Sequence, residues 1–324
     1  MKKVMSEKDF RRFEAMVKMN QAGLKQVMGR WLNEKYETVV ETKDYIYAIG
    51  DIPVALAAHL DTVFTKPVTD LYYDTKKNVM FSPDGLGADD RAGVFAIAQI
   101  IRSGRRPHII LSTNEEIGCV GAGELAKLAC PFPELRYVIQ LDRRGAEDCV
   151  FFDCDNRDFV NYVEQFGFAE AYGSFTDITE YCPAWGVAGV NLSVGYYNEH
   201  SASEVLFVSH LFNTIEKVKK MLDEKDIPAF EYIPARYNYA YPYGITSYST
   251  APLYHLDKCQ NCNEAEFEED MYPVIQGDGT SKMYCPDCLS HKDLHWCSMC
   301  QMPFESKQTK YQYICPVCMK KEAK

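Results

Sequence analysis

Apolar runs and amphipathic segments alternate along the first 226 residues. Residues 54–58 form an uninterrupted apolar run, which is typical of a strand buried on both faces. Similar runs predict further strands at 108–111, 137–141 and 187–194, and a hairpin over 72–81. Apolar residues at helical spacing predict helices from Ser6 onwards, with a break near Gly23, and at 93–101, 124–129, 159–166 and 204–222. This alternation predicts an α/β domain with a mixed, mostly parallel sheet and helices on both faces.

The alternation stops after residue 226. Residues 227–256 contain four prolines, and seven tyrosines occur from Tyr232 to Tyr254. Such a composition favours a linker or strap that packs on the preceding domain through its aromatic rings. We therefore divide the chain into a domain at 1–226, a linker at 227–256 and a small C-terminal domain at 257–324.

Eight of the 13 cysteines lie after residue 258, in four Cys-x-x-Cys pairs. Because four thiolates bind zinc tetrahedrally, these pairs predict a zinc-ribbon domain with two structural zinc ions. The simplest arrangement joins the first pair to the second and the third to the fourth. An interleaved arrangement, with the first and third pairs on one zinc, is the alternative. The pairs are Cys259/Cys262, Cys285/Cys288, Cys297/Cys300 and Cys315/Cys318.

The charge balance bears on partners and location. The formal net charge is -11, and residues 255–324 contain 8 Lys and no Arg against 11 Asp and Glu. Because such a surface repels phosphates, we expect neither nucleic acid nor a membrane as partner, and the tail is expected to bind a protein or to self-associate. No apolar stretch reaches about 18 residues, so no transmembrane helix is expected. The charged N-terminus lacks the apolar core of a signal peptide, which favours the cytoplasm.

Histidines and acidic residues follow the predicted strands at their carboxyl ends, where parallel sheets bind ligands. Together they form the ligand set that two neighbouring divalent metal ions need, with one carboxylate left over as a base. Asp61, two residues after a histidine, is placed to orient that ligand. The residues are His59, Glu115, Glu116, Asp142 and His200, together with Asp89 on the turn before the 93–101 helix.

The order of these motifs resembles that of zinc-dependent exopeptidases of the aminopeptidase and peptidase T type, in peptidase families M20, M28 and M42. The resemblance covers about residues 50–222, and the segment 86–93 (Leu-Gly-Ala-Asp-Asp-Arg-Ala-Gly) is its most diagnostic part. It implies a dinuclear centre in which Asp89 bridges two metal ions. The implied roles of the others are as follows: His59 and Asp142 complete one metal site, Glu116 and His200 complete the other, Glu115 is the general base, and Asp61 supports His59.

The implied reaction is hydrolysis of a peptide bond next to a terminus, as in an aminopeptidase. Glu115 would take a proton from water held by the two metal ions and give it to the leaving amine. Zinc, cobalt and manganese all suit nitrogen and oxygen ligands. Only 57 residues separate Asp142 from His200, which is too few for an inserted lid domain and favours the compact form of family M28.

Two alternatives stay open. Deacylation of N-acyl amino acids, or a carboxypeptidase-like activity, would use the same metal ions on an acylated amino acid or a peptide. A non-enzymatic chain would use the zinc ribbons as an adaptor on a peptidase-like scaffold.

Overall fold

The computed structural model describes residues 4–173, 175–235, 256–263, 265–267, 271–278, 280–285, 288–289, 294–297, 303–305 and 314–322. The chain divides into two compact units, Met1–Asn238 and Tyr239–Lys324. Cys300 and residues 236–255 of the predicted linker lie outside the described residues. Within the described ranges, no helix is both long and apolar enough to cross a membrane.

The secondary structure of the first unit alternates between helices and strands. Its helices are α1 (Glu7–Val17), α2 (Gln21–Asn33), α3 (Ala88–Arg102), α4 (Val120–Ala126), α5 (Arg157–Glu164), α6 (Ile178–Trp185) and α7 (Val208–Leu222). Its strands are β1 (Thr38–Glu41), β2 (Tyr45–Ile49), β3 (Ile52–His59), β4 (Tyr72–Asp74), β5 (Val79–Phe81), β6 (Pro107–Ser112), β7 (Tyr137–Arg143), β8 (Asp148–Val150), β9 (Ala169–Glu170), β10 (Gly189–Ser193), β11 (Tyr196–Tyr197) and β12 (Val205–Phe207).

The second unit contains short strands and one helix in its described part. They are β13 (Leu256–Lys258), β14 (Ala265–Phe267), β15 (Tyr272–Ile275), β16 (Ser281–Tyr284), β17 (Leu294–Trp296), β18 (Pro303–Glu305) and α8 (Pro316–Glu322). Strands β13 and β14 pair with each other, and the remaining four form a sheet in the order β16-β15-β18-β17.

An eight-stranded sheet forms the centre of the first unit, in the order β1-β2-β6-β3-β7-β10-β8-β9. Its four middle strands, from β6 to β10, run parallel to one another. Antiparallel pairs extend the sheet on both sides. The predicted mixed α/β fold is therefore confirmed. The described residues between Asp142 and His200 all belong to this unit, and the strands and helices among them are elements of it, without an inserted domain.

Helices cover both faces of this sheet. Successive residues of a strand point to opposite faces, so alternate residues of a buried strand pack against different helices. On β3, Val54, Leu56 and Ala58 belong to the core that also contains residues of α1, α3 and α7. The intervening Ala55 and Ala57 belong to a second core with residues of α4 and α6. Burial on both faces explains why this strand has an uninterrupted apolar sequence.

The predicted N-terminal helix is two helices, and the break lies at residues 18–20 rather than near Gly23. The Ser6 side chain accepts a hydrogen bond from the Asp9 backbone N–H and caps α1. The Asn20 side chain accepts one from the Gly23 backbone N–H at 2.9 Å and caps α2. Because asparagine satisfies a free N–H at a helix start, the second helix begins after Asn20 and includes Gly23.

The predicted helix at 204–222 begins at Val208 instead. The three residues before it form β12, which pairs with β5 in the register Val205 to Phe81. Strand β5 also pairs with β4 in the predicted hairpin. Glu204, which precedes β12, is fully buried. Strand β12 forms by pairing with β5, which is distant in the sequence, so no local pattern marks it. The helical spacing of the residues that follow therefore led us to start the predicted helix too early.

The start of the predicted linker packs on the first unit. The Phe230 ring lies 4.8 Å from the ring centre of Phe159 and 5.2 Å from that of Tyr162. Its backbone N–H donates a hydrogen bond to the Arg136 carbonyl at 2.9 Å. Tyr232 also packs against the core of the first unit, as predicted for the tyrosine rings of this segment, and Phe230 adds a contact that was not predicted. The tyrosines of 237–254 lie outside the described residues.

Candidate metal centre

The carboxyl ends of three parallel strands bring the predicted site residues to one edge of the large sheet. Strand β3 lies between β6 and β7, so the ends of all three are neighbours. His59 is the last residue of β3, Asp142 lies near the end of β7, and Glu115 follows β6. The topology therefore places chemically active side chains together although they are far apart in sequence.

Asp89 lies between the two histidines. Its Oδ1 is 3.0 Å from Nε2 of His59, and its Oδ2 is 3.1 Å from Nε2 of His200. The two oxygens of one carboxylate thus face two different imidazoles. This is the geometry that a carboxylate needs to bridge two metal ions.

Each histidine has a further carboxylate beside it. Nε2 of His59 is 3.5 Å from Oδ1 of Asp142, and Nε2 of His200 is 3.0 Å from Oε2 of Glu116. His59 with Asp142 forms one group, His200 with Glu116 forms another, and Asp89 lies between the two groups. The resemblance implies the same grouping, and the roles of these residues as ligands stay predictions.

The side chains of this cluster suit divalent cations. Burial raises the pKa of Asp142 to about 7, because the charged carboxylate loses its solvent. Hydrogen bonds with Asp89 and Glu116 raise the pKa of His200 to about 10. Oε1 of Glu116 is buried and has no hydrogen-bond partner among the described residues. Since crowded, buried carboxylates require compensating positive charge, and imidazole and carboxylate are ordinary zinc ligands, the residues fit two such ions.

Asp90 is also near the cluster, but its carboxylate is engaged by the backbone. One atom each of His59, Asp90 and Asp142 lies within 4.8 Å of the others. Oδ2 of Asp90 accepts a hydrogen bond from the His59 N–H at 3.2 Å, and Oδ1 accepts one from the Gly93 N–H at 2.9 Å. Both oxygens therefore hold the chain, and we assign Asp90 a structural role.

Glu115 lies beside the cluster with its carboxylate less tightly held. Its Oε2 is 3.9 Å from Nε2 of His59, and the Thr176 hydroxyl lies 3.4 Å from its Oε1. Burial raises the pKa of Glu115 to about 8; His59 lowers it, and Asp142 raises it further. A carboxyl group with such a pKa can exchange a proton near neutral pH, as a general base must.

Asp61 connects His59 to the two consecutive glutamates. Its Oδ1 is 3.3 Å from Nδ1 of His59. Its two oxygens also accept hydrogen bonds from the backbone N–H groups of Glu115 and Glu116, both at 3.1 Å. The spacing in the sequence indicated the contact with His59 but not the contacts with the glutamates.

Two residues to which the sequence analysis gave no role hold the loops of the site. Glu204 accepts hydrogen bonds from the backbone N–H groups of Gly87 at 2.6 Å and Asp89 at 3.0 Å. The buried guanidinium of Arg91 donates to the backbone carbonyls of Leu60 and Asp61. Glu204 was hidden by its place in a predicted helix. Arg91 was visible only as part of the polar turn.

Asp142 is held by three further side chains. Its Oδ2 accepts hydrogen bonds from Nε2 of Gln140 at 2.8 Å and from the Thr176 hydroxyl at 3.0 Å. Its Oδ1 accepts one from the Tyr196 hydroxyl at 3.2 Å. Gln140 lies two residues before Asp142 on β7 and therefore on the same face, a signal that was present in the sequence. Thr176 and Tyr196 lie in other segments and gave no such signal.

The second unit contains two clusters of cysteines. The sulfur atoms of the first cluster lie within 4.8 Å of one another, as do those of the second. In each, a backbone N–H donates to a sulfur at 3.3 Å, from Cys285 to Cys259 and from Cys315 to Cys297. The first pair is thus grouped with the second. The clusters are Cys259, Cys262, Cys285 and Cys288, and Cys297, Cys315 and Cys318, with Cys300 outside the described residues.

Several solved structures resemble this chain. Aminopeptidase PepT from Bacillus cereus gives a TM-score of 0.54 at 14% sequence identity, over 67% of this chain and 98% of that chain. A tripeptidase from Staphylococcus aureus gives 0.52 at 13%, over 65% and 96%. A TET aminopeptidase from a marine-sediment Thaumarchaeota archaeon gives 0.56 at 13%, over 68% and 98%. No protein-family model and no curated protein matches the sequence. The likeness at these identities concerns the fold, and the α/β fold of this chain is similar to that of these aminopeptidases.

Proposed function

We propose that this chain is a dinuclear metal-dependent exopeptidase of the aminopeptidase type, with zinc, cobalt or manganese as its catalytic metal. The geometry of Asp89 supports this proposal most directly. Its two oxygens face His59 and His200 at 3.0 and 3.1 Å, and each histidine has a further carboxylate beside it. The eight tail cysteines would hold two structural zinc ions. Self-association through that tail stays a prediction.

When bound, the two divalent ions would activate a water molecule and polarise the scissile carbonyl group. Glu115 is the side chain of this protein that would transfer the proton. Glu115 lines a cavity of about 130 Å³ that Asp142 and His200 also line. From there Glu115 takes a proton from the attacking water and gives it to the leaving amine. Asp61 fixes the position of Glu115 by accepting a hydrogen bond from its backbone N–H.

The substitution Glu115→Gln tests this proposal because it keeps the size of the side chain and removes the base. We expect kcat on aminoacyl-anilides to fall by about 10²–10⁴-fold, with the metal content unchanged. Glu124→Gln is the matched control, since Glu124 is an exposed residue of α4 that pairs with Lys127. Unchanged activity in Glu115→Gln would refute the mechanism.

Metal analysis separates an enzyme from an adaptor. About four metal ions per chain would match two catalytic and two structural sites. About two ions, both lost when the tail is removed, would favour the adaptor. Peptides with blocked and free termini distinguish an aminopeptidase from a deacylase or a carboxypeptidase-like enzyme.

A further inference from the structure

Two arginines line the cavity beside the acidic cluster, and the proposed chemistry does not use them. Arg143 is the last residue of β7, and Arg144 follows it directly. Both line the cavity of about 130 Å³, together with Asp142 and Glu115. The side chain of Arg143 is 22% exposed and that of Arg144 is 58% exposed. The positive charge of Arg144 is therefore open to a molecule in the cavity.

The contacts of Arg144 leave its outer edge unused. Its Nε lies 2.8 Å from Oε1 of Glu199, whose side chain is only 14% exposed. In the described part of the chain, the terminal amino groups of Arg144 make no hydrogen bond. Glu199 thus orients the guanidinium from one side, and the edge with two amino groups remains for a partner.

Arg143 has a different environment. Its Nη2 donates to the Tyr172 carbonyl at 3.0 Å, and its Nε lies 3.7 Å from Oδ2 of Asp148. These contacts hold the segment around Tyr172. Arg143 therefore adds positive charge to the cavity wall, while Arg144 has the free donors.

We propose that Arg144, with the charge of Arg143 behind it, binds a carboxylate of the substrate close to the scissile bond. A guanidinium edge with two parallel N–H donors matches the two oxygens of a carboxylate. The same positive charge repels cationic substrate side chains. The exposed ring of Phe175 lines the same cavity and offers an apolar wall to the carbon chain that carries the carboxylate. This inference rests on the proposed peptidase function.

The carboxylate has two chemical sources, an acidic side chain and a free C-terminus. Glutamyl- against glutaminyl-anilide tests the first, and dipeptides with a free or amidated C-terminus test the second. For one of these pairs, we expect the wild-type enzyme to favour the carboxylate by at least about 10-fold in kcat/KM. Arg144→Gln should reduce that preference to within about twofold without changing the rate on the neutral partner. Arg144→Lys should retain part of that preference, because lysine keeps the positive charge but lacks the two parallel N–H donors of the guanidinium.

Arg105→Gln is the control, since Arg105 precedes β6 at the opposite edge of the sheet and pairs with Asp223. Equal wild-type rates within both pairs would overturn the inference while leaving the peptidase proposal intact. An equal loss on charged and neutral substrates in Arg144→Gln would overturn it too. If the metal-loaded protein cleaves no peptide, the peptidase proposal fails. Calorimetric binding of glutamate against glutamine then decides the carboxylate site: a preference lost in Arg144→Gln supports it, and equal binding refutes it.

Discussion

The substitution Glu204→Gln should weaken both the fold and the metal centre. Glu204 is fully buried, and its two oxygens accept hydrogen bonds from the backbone N–H groups of Gly87 and Asp89, at 2.6 and 3.0 Å. Glutamine has nearly the same volume, but one of its terminal atoms is an NH₂ group. One backbone N–H would therefore face another donor instead of an acceptor.

The structure allows an approximate magnitude. Leaving a buried backbone N–H without an acceptor costs about 1–3 kcal/mol, so the substitution should destabilise the protein by about 2 kcal/mol. For a folded unit of this size, we expect the Tm to fall by about 4–8 °C. Because Glu204 positions Asp89 through its backbone N–H, metal affinity should fall as well, by about 10–100-fold.

Thermal unfolding and metal titration against a competing chromogenic chelator measure the two effects. Glu216→Gln is the control, since Glu216 is an exposed residue of α7 that pairs with Lys219 at 2.7 Å. We expect the control to retain both properties. Wild-type metal affinity in Glu204→Gln, together with a wild-type Tm, would show that these hydrogen bonds do not position Asp89.

Two further substitutions test the packing of α3 and the cysteine tail. Gly93→Ala would place a Cβ atom 2.0 Å from the Leu141 carbonyl oxygen, so we expect a loss of about 3 kcal/mol in urea unfolding. Gly123→Ala, whose Cβ has its nearest neighbour at 3.6 Å, should not be destabilised, and equal stability of both variants would contradict this account. Cys285→Ser should remove about one zinc ion per chain in metal analysis, whereas Cys130→Ser, in the first unit, should remove none. An unchanged zinc content in Cys285→Ser would exclude that residue as a ligand.

The parallel strands of the large sheet were predictable, and so was the edge at which side chains meet. The uninterrupted apolar run of β3 indicated burial on both faces, and His59 stands at its end. Asp142 stands near the end of β7, which pairs with β3 in parallel. Because parallel strands end at one edge, the two residues could be placed together from the sequence alone.

Contacts between distant segments were not predictable in the same way. Glu204 was assigned to a helix because the residues after it have helical spacing, whereas β12 forms by pairing with β5. No local pattern indicates that the Glu204 carboxylate accepts hydrogen bonds from the backbone N–H groups of Gly87 and Asp89. Arg144 was similarly unmarked, since an arginine after a strand is ordinarily a solvated residue. Its significance depends on the cavity wall, which several segments build.

The segment at 86–93 contains one proposed metal ligand, Asp89, yet several of its other residues are needed to hold that ligand in place. In this segment, Asp89 alone places its carboxylate between the two histidines. Asp90 accepts a hydrogen bond from the His59 N–H, and Arg91 donates to the Leu60 and Asp61 carbonyl groups after β3. Gly93 allows α3 to approach β7, where a Cβ atom would overlap a backbone oxygen. The motif therefore specifies the position of one carboxylate relative to the end of β3, which is what a bridging ligand requires, and its other residues are the means of holding it there.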